Sequence, residues 1–212
     1  MLDWSVIIVN WNTRERLREC LRSVFSSEGL ASFEVFAVDN ASIDGSAEIV
    51  EKEFPAVHVI KNQKNLGFAA ANNQAIRRAS GANILLLNPD CKLSTGALEN
   101  MLVFLRGNPR VGVAGGKIFG EEGSLQPSVR RFTDFQSQAA MLMKLHKLWP
   151  NMGPVKRYLA TDHNYSWHGP ADQVMGAFFA VPRHIFSEVG LLDENFFLWF
   201  GFLYMGYLLF LL

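Results

Sequence analysis

Residues 5–10 read SVIIVN, a short apolar run that is β-branched at four positions and ends on a polar residue. A run without polar alternation is the pattern of a strand buried on both faces, as in a parallel sheet. Working outward, residues 14–26 place Leu17, Cys20, Leu21, Val24 and Phe25 at helical spacing. Residues 33–38 (FEVFAV) predict a second strand that ends at Asp39. A helix follows over 46–53, with Asp44-Gly45-Ser46 as its turn and cap. Residues 57–61 predict a third strand, 67–79 a helix of small residues, and 83–87 (NILLL) a fourth strand stopping at Asn88-Pro89-Asp90. Ser94 or Thr95 is expected to cap a helix running to about 105, and 111–118 to form a fifth strand. Strands alternating with helices imply right-handed βαβ units, a mostly parallel central sheet flanked by helices, and the α/β class.

The second half is less regular. Residues 120–128 read as a loop, and 135–148 as an amphipathic helix with Met141, Leu142, Leu145 and Leu148 on one face. Residues 150–169 are expected to be a long mobile segment, 174–181 a strand, and 185–189 a helical turn before Gly190. Lys plus Arg and Asp plus Glu are both 20, so no global basic field for nucleic acid exists. Cys20 and Cys91 are the only cysteines and show no CxxC or His pairing, which points to reduced thiols. The opening MLDWSVIIVNWN lacks a basic n-region and a cleavage site, and reads as a first strand instead of a signal peptide.

In such sheets ligands bind beyond the carboxyl ends of the strands. The polar groups Asn10-Trp11-Asn12, Asp39-Asn40 and Asn88-Pro89-Asp90 all fall there. Asp90 follows a proline that ends an apolar strand, and could supply a hard oxygen ligand to Mg2+ or Mn2+ alongside substrate phosphates; a plain turn is the rival reading. Asp39 could accept from a ribose or a base N–H, or could cap an Asx turn over Asp39-Asn40-Ala41-Ser42. Gly67 and the alanines of NLGFAAANN allow close approach of a ligand to a helix start, or only tight packing of helix on sheet. The five histidines, at 58, 146, 163, 168 and 184, have no metal-ligand spacing. Trp149 and Trp167 could stack on a sugar face or simply pack.

Taken together, VIIVNWN, VDNASIDGS, NLGFAAANN, LLLNPD, VMGAFFAVPR and GLLDENFFLWF occur in that order. This combination closely resembles glycosyltransferase family 2, in its rhamnosyltransferase-like branch, over about residues 4–200. The resemblance implies a GT-A nucleotide-diphospho-sugar transferase fold and an inverting, metal-dependent single displacement. It implies a nucleotide-binding half over 1–118 and an acceptor-side half, incomplete, over 119–200. Asn10, Trp11 and Asn12 would line the nucleotide pocket; Asp39 would bond the base, with Asn40 and Asp44 nearby. Asn65 and Gly67 would contact the nucleotide or its phosphates, Asp90 would hold the metal, and Gly176 and Ala177 would border donor sugar and acceptor. The implied donor is dTDP-rhamnose or a similar nucleotide sugar. The implied acceptor is a saccharide or a polyprenyl-linked one. This fits envelope polysaccharide synthesis in the cytoplasm, with peripheral association at the inner membrane face.

The pattern departs from the family after Phe200, the last residue of FFLWF. The family continues there with an acidic stretch, one of whose acids would act as base. Here residues 201–212 read GFLYMGYLLFLL instead, an apolar tail unlike the family. Asp193 and Glu194 are then the remaining weak candidates for a base. Residues 196–212 form an uncharged run of 17 residues. It could be a short membrane span, a buried helix or strand pair, or the product of a frameshift or truncation just past Phe200, and the last is favoured. On that reading the chain binds donor with little or no transfer. A non-catalytic nucleotide-sugar-binding protein with an apolar anchor is the alternative. A nucleotidyltransferase is disfavoured, because no glycine-rich phosphate loop follows the first strand.

Overall fold

The computed structural model describes residues 1–27, 29–149 and 151–196. In chain order the elements are β1 (Trp4–Asn10), α1 (Arg14–Phe25), β2 (Phe33–Asp39), α2 (Ser46–Glu53), β3 (Val57–Lys61), α3 (Phe68–Ile76), β4 (Asn83–Leu87), α4 (Ala97–Gly107) and β5 (Ala114–Gly115). Next come β6 (Ile118–Phe119), β7 (Leu125–Gln126), β8 (Val129–Arg130), α5 (Phe135–Leu142), α6 (Leu145–Leu148), α7 (Gly153–Tyr158), β9 (Gln173–Val174), β10 (Phe178–Pro182) and α8 (Arg183–Val189). The chain forms two compact units, one of residues 1–114 with residues 176–196 and the other of residues 115–175.

The first unit is built on a sheet of order β3-β2-β1-β4-β10-β5. β1 to β4 run parallel, and β10 lies antiparallel against β4. The α/β expectation holds, and its reason is visible in the burial. Every residue of β4 is buried, so an alternating polar face would have nowhere to go. Trp4, Val6, Ile8, Val35, Ala37, Leu85 and Leu87 share one core with Leu17, Leu21 and Val24 of α1, Ile49 and Val50 of α2, and Leu98 and Leu102 of α4. Residues of the other parity, among them Ile7, Val38 and Leu86, face the side on which α3 packs against β1 and β2. The alanines of α3 permit that approach: Ala69, Ala71 and Ala75 are all buried. Strand order reverses between β1 and β4, so the crevice beyond their carboxyl ends is the switch point where such sheets take ligands.

Three expectations for this unit need correction. The strand expected over 111–118 is reduced to two short pieces, β5 and β6, separated at Gly116-Lys117. The helix expected to be capped by Ser94 or Thr95 begins later, at Ala97; Gly96 takes the left-handed conformation (φ 74°) as its N-cap. The strand expected over 174–181 likewise divides, into β9 and β10, at the Gly176-Ala177 turn.

The second unit is held by two small antiparallel pairs, β6 with β7 and β8 with β9. Its helices differ from expectation. The single helix over 135–148 breaks into α5 and α6 at Lys144, which sits in the left-handed region (φ 56°). Its expected apolar face is not buried, since Leu142 and Leu148 are exposed. The segment 150–169 is not structureless; Gly153-Pro154 starts α7, with proline in the first turn where its missing N–H costs nothing. Arg157 of α7 bonds the Asp134 carboxylate, which also caps α5 through the Ser137 N–H.

Candidate functional site

The polar residues singled out in the sequence gather at the switch point of the first unit. In the β1–β2 ladder Asn10 is level with Asp39, and in the β1–β4 ladder Ile8 is level with Leu87. The Asn10, Asp39 and Asn88-Pro89-Asp90 chain ends therefore leave the same edge of the sheet.

Asn10 is fully buried, and its side chain is spent on the protein. Its Nδ2 donates to Asp39 Oδ1 at 3.1 Å and to Ser42 Oγ at 3.0 Å, while its Oδ1 accepts from the Thr13 hydroxyl at 2.6 Å. Asp39 Oδ2 accepts from the Ser42 N–H at 3.0 Å, so the Asx turn weighed in the sequence is present. That turn holds Ala41 at a positive φ of 64°. Asn12, also left-handed at φ 54°, takes the Ile43 N–H on its Oδ1 at 2.9 Å. Trp11 is 56% exposed and Ile43 93% exposed, which leaves two apolar side chains at the rim.

Asn40 uses all four of its amide positions. Nδ2 donates to Asn65 Oδ1 at 2.9 Å and to the Gly67 carbonyl at 3.1 Å. Its Oδ1 accepts from Asn62 Nδ2 and the Leu66 N–H, each at 3.1 Å. An Asn has two donors and two acceptor positions, so Asn40 serves this site by holding residues 62–67 and has no capacity left for a ligand. Gly67 itself needs to be glycine: it sits at φ 82°, ψ 177° as the N-cap of α3. The N-cap makes no side-chain bond at the start of α3, the end of the helix whose dipole favours an anion.

Asp44 caps two helices with one carboxylate. Oδ2 accepts from the N–H of Arg14, the first residue of α1, at 2.9 Å; Oδ1 accepts from the N–H of Ser46, the first residue of α2, at 3.0 Å. Burial pushes its pKa up, but the Ser46 hydroxyl and these N–H bonds outweigh that and hold it below the usual carboxylate value.

Asp90 is exposed at the end of β4. Among the described residues its carboxylate meets only the weak Cys91 thiol donor, at 3.9 Å. Burial, followed by the Asp90 charge, pushes Cys91 up to about 11, so it is a neutral thiol at neutral pH. No group of three or more His, Cys, Asp or Glu side chains converges among the described residues. A cation here would therefore rest on Asp90 and on oxygens brought by a diphosphate, an arrangement that suits Mg2+. The Ala177 carbonyl accepts the Asn88 N–H at 3.0 Å and joins the Gly176-Ala177 turn to this motif.

Asp193 and Glu194 are committed elsewhere. Asp193 Oδ1 accepts from the Asn195 N–H and amide at 3.0 and 2.8 Å. Glu194 Oε1 accepts from Asn73 Nδ2 at 2.9 Å and from Arg77 at 3.0 Å, and these two bonds, Asn73 first, hold its pKa down. Asn73, given no role from sequence, also brackets the Leu192 backbone. Its Nδ2 donates to the carbonyl at 2.8 Å and its Oδ1 accepts the N–H at 3.1 Å. A buried Asn inside a helix is a poor helix former, which is the signal that could have flagged it. Thr13 and Asn62 were missed because nothing local marks them, and Ser42 was read only as the end of the Asx turn; folding brings their side chains onto Asn10 and Asn40. Phe200, where the sequence places the break from the family, lies outside the described residues. So do the position of the expected base beyond it and the apolar tail over 201–212.

The glycosyl transferase family 2 model matches residues 5–184, a span that includes every strand end of this site. The chain belongs to that family. The match ends at 184, short of Phe200, to which the sequence motifs carried the resemblance. The chain is 26% identical over 176 residues to an N-acetylglucosaminyl-diphospho-decaprenol L-rhamnosyltransferase of Mycobacterium tuberculosis, a match covering 78% of this chain and 57% of the relative. Over 112 residues it is 32% identical to the putative teichuronic acid biosynthesis glycosyltransferase TuaG of Bacillus subtilis, covering 50% of this chain and 44% of the relative. The chain thus spans about half the length of these relatives. Among solved structures, S. aureus TarS 1-349 in complex with UDP superposes with a TM-score of 0.67 at 17% identity, over 98% of this chain and 56% of that one. A Pyrobaculum calidifontis mannosyltransferase in complex with GDP-Man and Mn2+ gives 0.60 at 20% identity, over 91% and 48%. The fold is therefore GT-A, as the family 2 resemblance implied. Among the described residues no helix is long and apolar enough to cross a membrane.

Proposed function

We propose that this family 2 chain binds a nucleoside-diphosphate sugar at the β1–β4 switch point and serves an inverting, metal-dependent sugar transfer. The observation that carries the reading is the clasp of Asn10, Asp39 and Asn40, which fixes the uncapped start of α3 and leaves Asp90 untied at the same sheet edge. In this reading Trp11 and Ile43 border the base, the chain from Asn65 to Gly67 holds the start of α3 toward the diphosphate, and Asp90 faces the cation. A bound Mg2+ or Mn2+ would neutralise charge on the departing diphosphate. Residues 1–118 act as the nucleotide-binding half and 119–200 as the acceptor-side half. A rhamnose donor and a saccharide or polyprenyl-linked acceptor are favoured by the rhamnosyltransferase relative, whose name carries both a rhamnosyl group and a decaprenyl diphosphate. Asp193 and Glu194, being bonded as they are, act in positioning and not as the base.

Titration calorimetry with dTDP, UDP and GDP, each with and without Mn2+, tests the site. One nucleotide should bind preferentially, and Mn2+ should tighten it. Asp90→Ala should abolish the Mn2+-dependent gain, of about tenfold or more, while leaving the thermal midpoint unchanged because the side chain is exposed. An undiminished Mn2+ effect in that variant removes Asp90 from the cation site.

A further inference from the structure

We propose that the second unit docks on an anionic lipid surface through the segment from Phe135 to Lys156. The segment leaves large apolar side chains in water: Leu142 is 82% exposed, Met143 69%, Leu148 71% and Trp149 59%. Four such residues within eight consecutive positions are unusual, since single exposed apolar residues are normal but clusters mark contact sites. Their placement follows from the break at Lys144, which ends α5 just after Leu142 and starts α6 anew. Phe135, at the start of α5, is exposed as well.

Charge identifies the occupant. Residues 135–161 contain no Asp or Glu, yet hold Lys144, Lys147, Lys156 and Arg157, in a chain whose net charge is zero. Arg157 is neutralised by Asp134. Lys144, Lys147 and Lys156 are exposed, and none of them makes an ion pair among the described residues. Lysines interleaved with Leu, Met and Trp are the composition of an interfacial surface, in which apolar groups enter the acyl boundary and lysines meet headgroup phosphates. A water-facing helix pair would carry acids among its lysines, and an ordinary protein contact would be depleted in lysine. The surface deepens the reading above, on which a membrane-borne acceptor depends, but it rests on side chains of the second unit alone.

The test is flotation of the full chain with vesicles of phosphatidylcholine alone or with about a third phosphatidylglycerol. Binding is expected only with the anionic vesicles, and should weaken in 0.5 M salt, roughly a 4 Å screening length. Lys144→Gln with Lys147→Gln should weaken it about 25-fold, on the order of fivefold per lysine. Leu148→Ser with Trp149→Ser should weaken it by more than about tenfold. All four positions are exposed, so circular dichroism and nucleotide titration should match the parent chain. Absence of binding to anionic vesicles overturns the proposal. So does binding that both double variants retain, which would place the contact elsewhere, as in residues 201–212. A lipid-free dimer that the Leu148/Trp149 variant dissociates would assign the surface to a second copy and overturn it too. Vesicle binding that persists in a chain unable to bind any nucleotide would sink the proposed function and leave this surface standing.

Discussion

Asn40→Ala separates a residue that holds the site from one that touches the ligand. The native side chain makes two bonds to the Asn62 and Asn65 side chains and two to the backbone at Leu66 and Gly67. Asn62 and Asn65 are half-buried, so water replaces their lost partner and each bond costs about 0.5–1 kcal/mol. Gly67 is buried, and its carbonyl, left with only a long 3.4 Å contact from the Ala71 N–H, loses its good partner at a cost of about 1–2 kcal/mol. Leu66 adds about 1 kcal/mol on the same basis. A water entering the vacated space recovers part of this, so the expected loss is about 3 kcal/mol. For a chain of this length that lowers the melting midpoint by roughly 6–12 °C. Because the released segment carries Asn65 and Gly67 into α3, affinity for the preferred nucleoside diphosphate should fall about tenfold, or roughly 1.4 kcal/mol. Asn40→Asp should be at least as damaging, since it removes both donors and sets a charge against the Gly67 carbonyl and Asn65 Oδ1. Differential scanning fluorimetry and calorimetric titration on the same samples read both effects. A variant that melts within about 2 °C of the parent but no longer binds nucleotide would refute the reasoning, for Asn40 would then be a ligand contact.

Two further outcomes follow from the same network. Asn73→Ala should destabilise by about 2–3 kcal/mol in urea titrations, because three bonds to Leu192 and Glu194 are lost from a buried amide; exchange protection of the Leu192 amide should fall with it, and unchanged protection would deny the clasp. Asp44→Asn should cost about 1 kcal/mol at pH 7, since one charge serves the starts of α1 and α2. The folded Asp44 carboxyl lies below its ordinary value of 3.8, so its contribution is full above that value and is lost as pH falls through the lower folded one. The gap between parent and variant should therefore be constant well above 3.8 and close only as pH falls through the lower folded value in pH-dependent urea titrations; a gap that widens in acid would contradict this sign.

What the sequence by itself determined is the alternation of buried strands and helices from β1 to β4, and the place of the site. Runs such as SVIIVN and NILLL can only be satisfied where both faces are covered, and the polar residues after them must then lie at the strand ends. Helix periodicity over 14–26 was enough for α1, whose buried apolar positions all meet one core. Short range also fixed the motif order by which the family is recognised. The tertiary structure decided the rest, because it depends on partners far apart in the chain. Asn10 and Asn40 read as ligand contacts until their amides are seen to be filled by Ser42, Thr13, Asn62 and Gly67. Glu194 reads as a spare acid until Asn73 and Arg77, more than a hundred residues earlier, are found on it. The second unit was least legible: its pieces are short, its glycines and Lys144 break the periodic pattern, and its exposed apolar side chains mimic a buried helix face. Periodicity reports which residues share a face; only the packed chain shows whether that face meets a core or is left to meet something else.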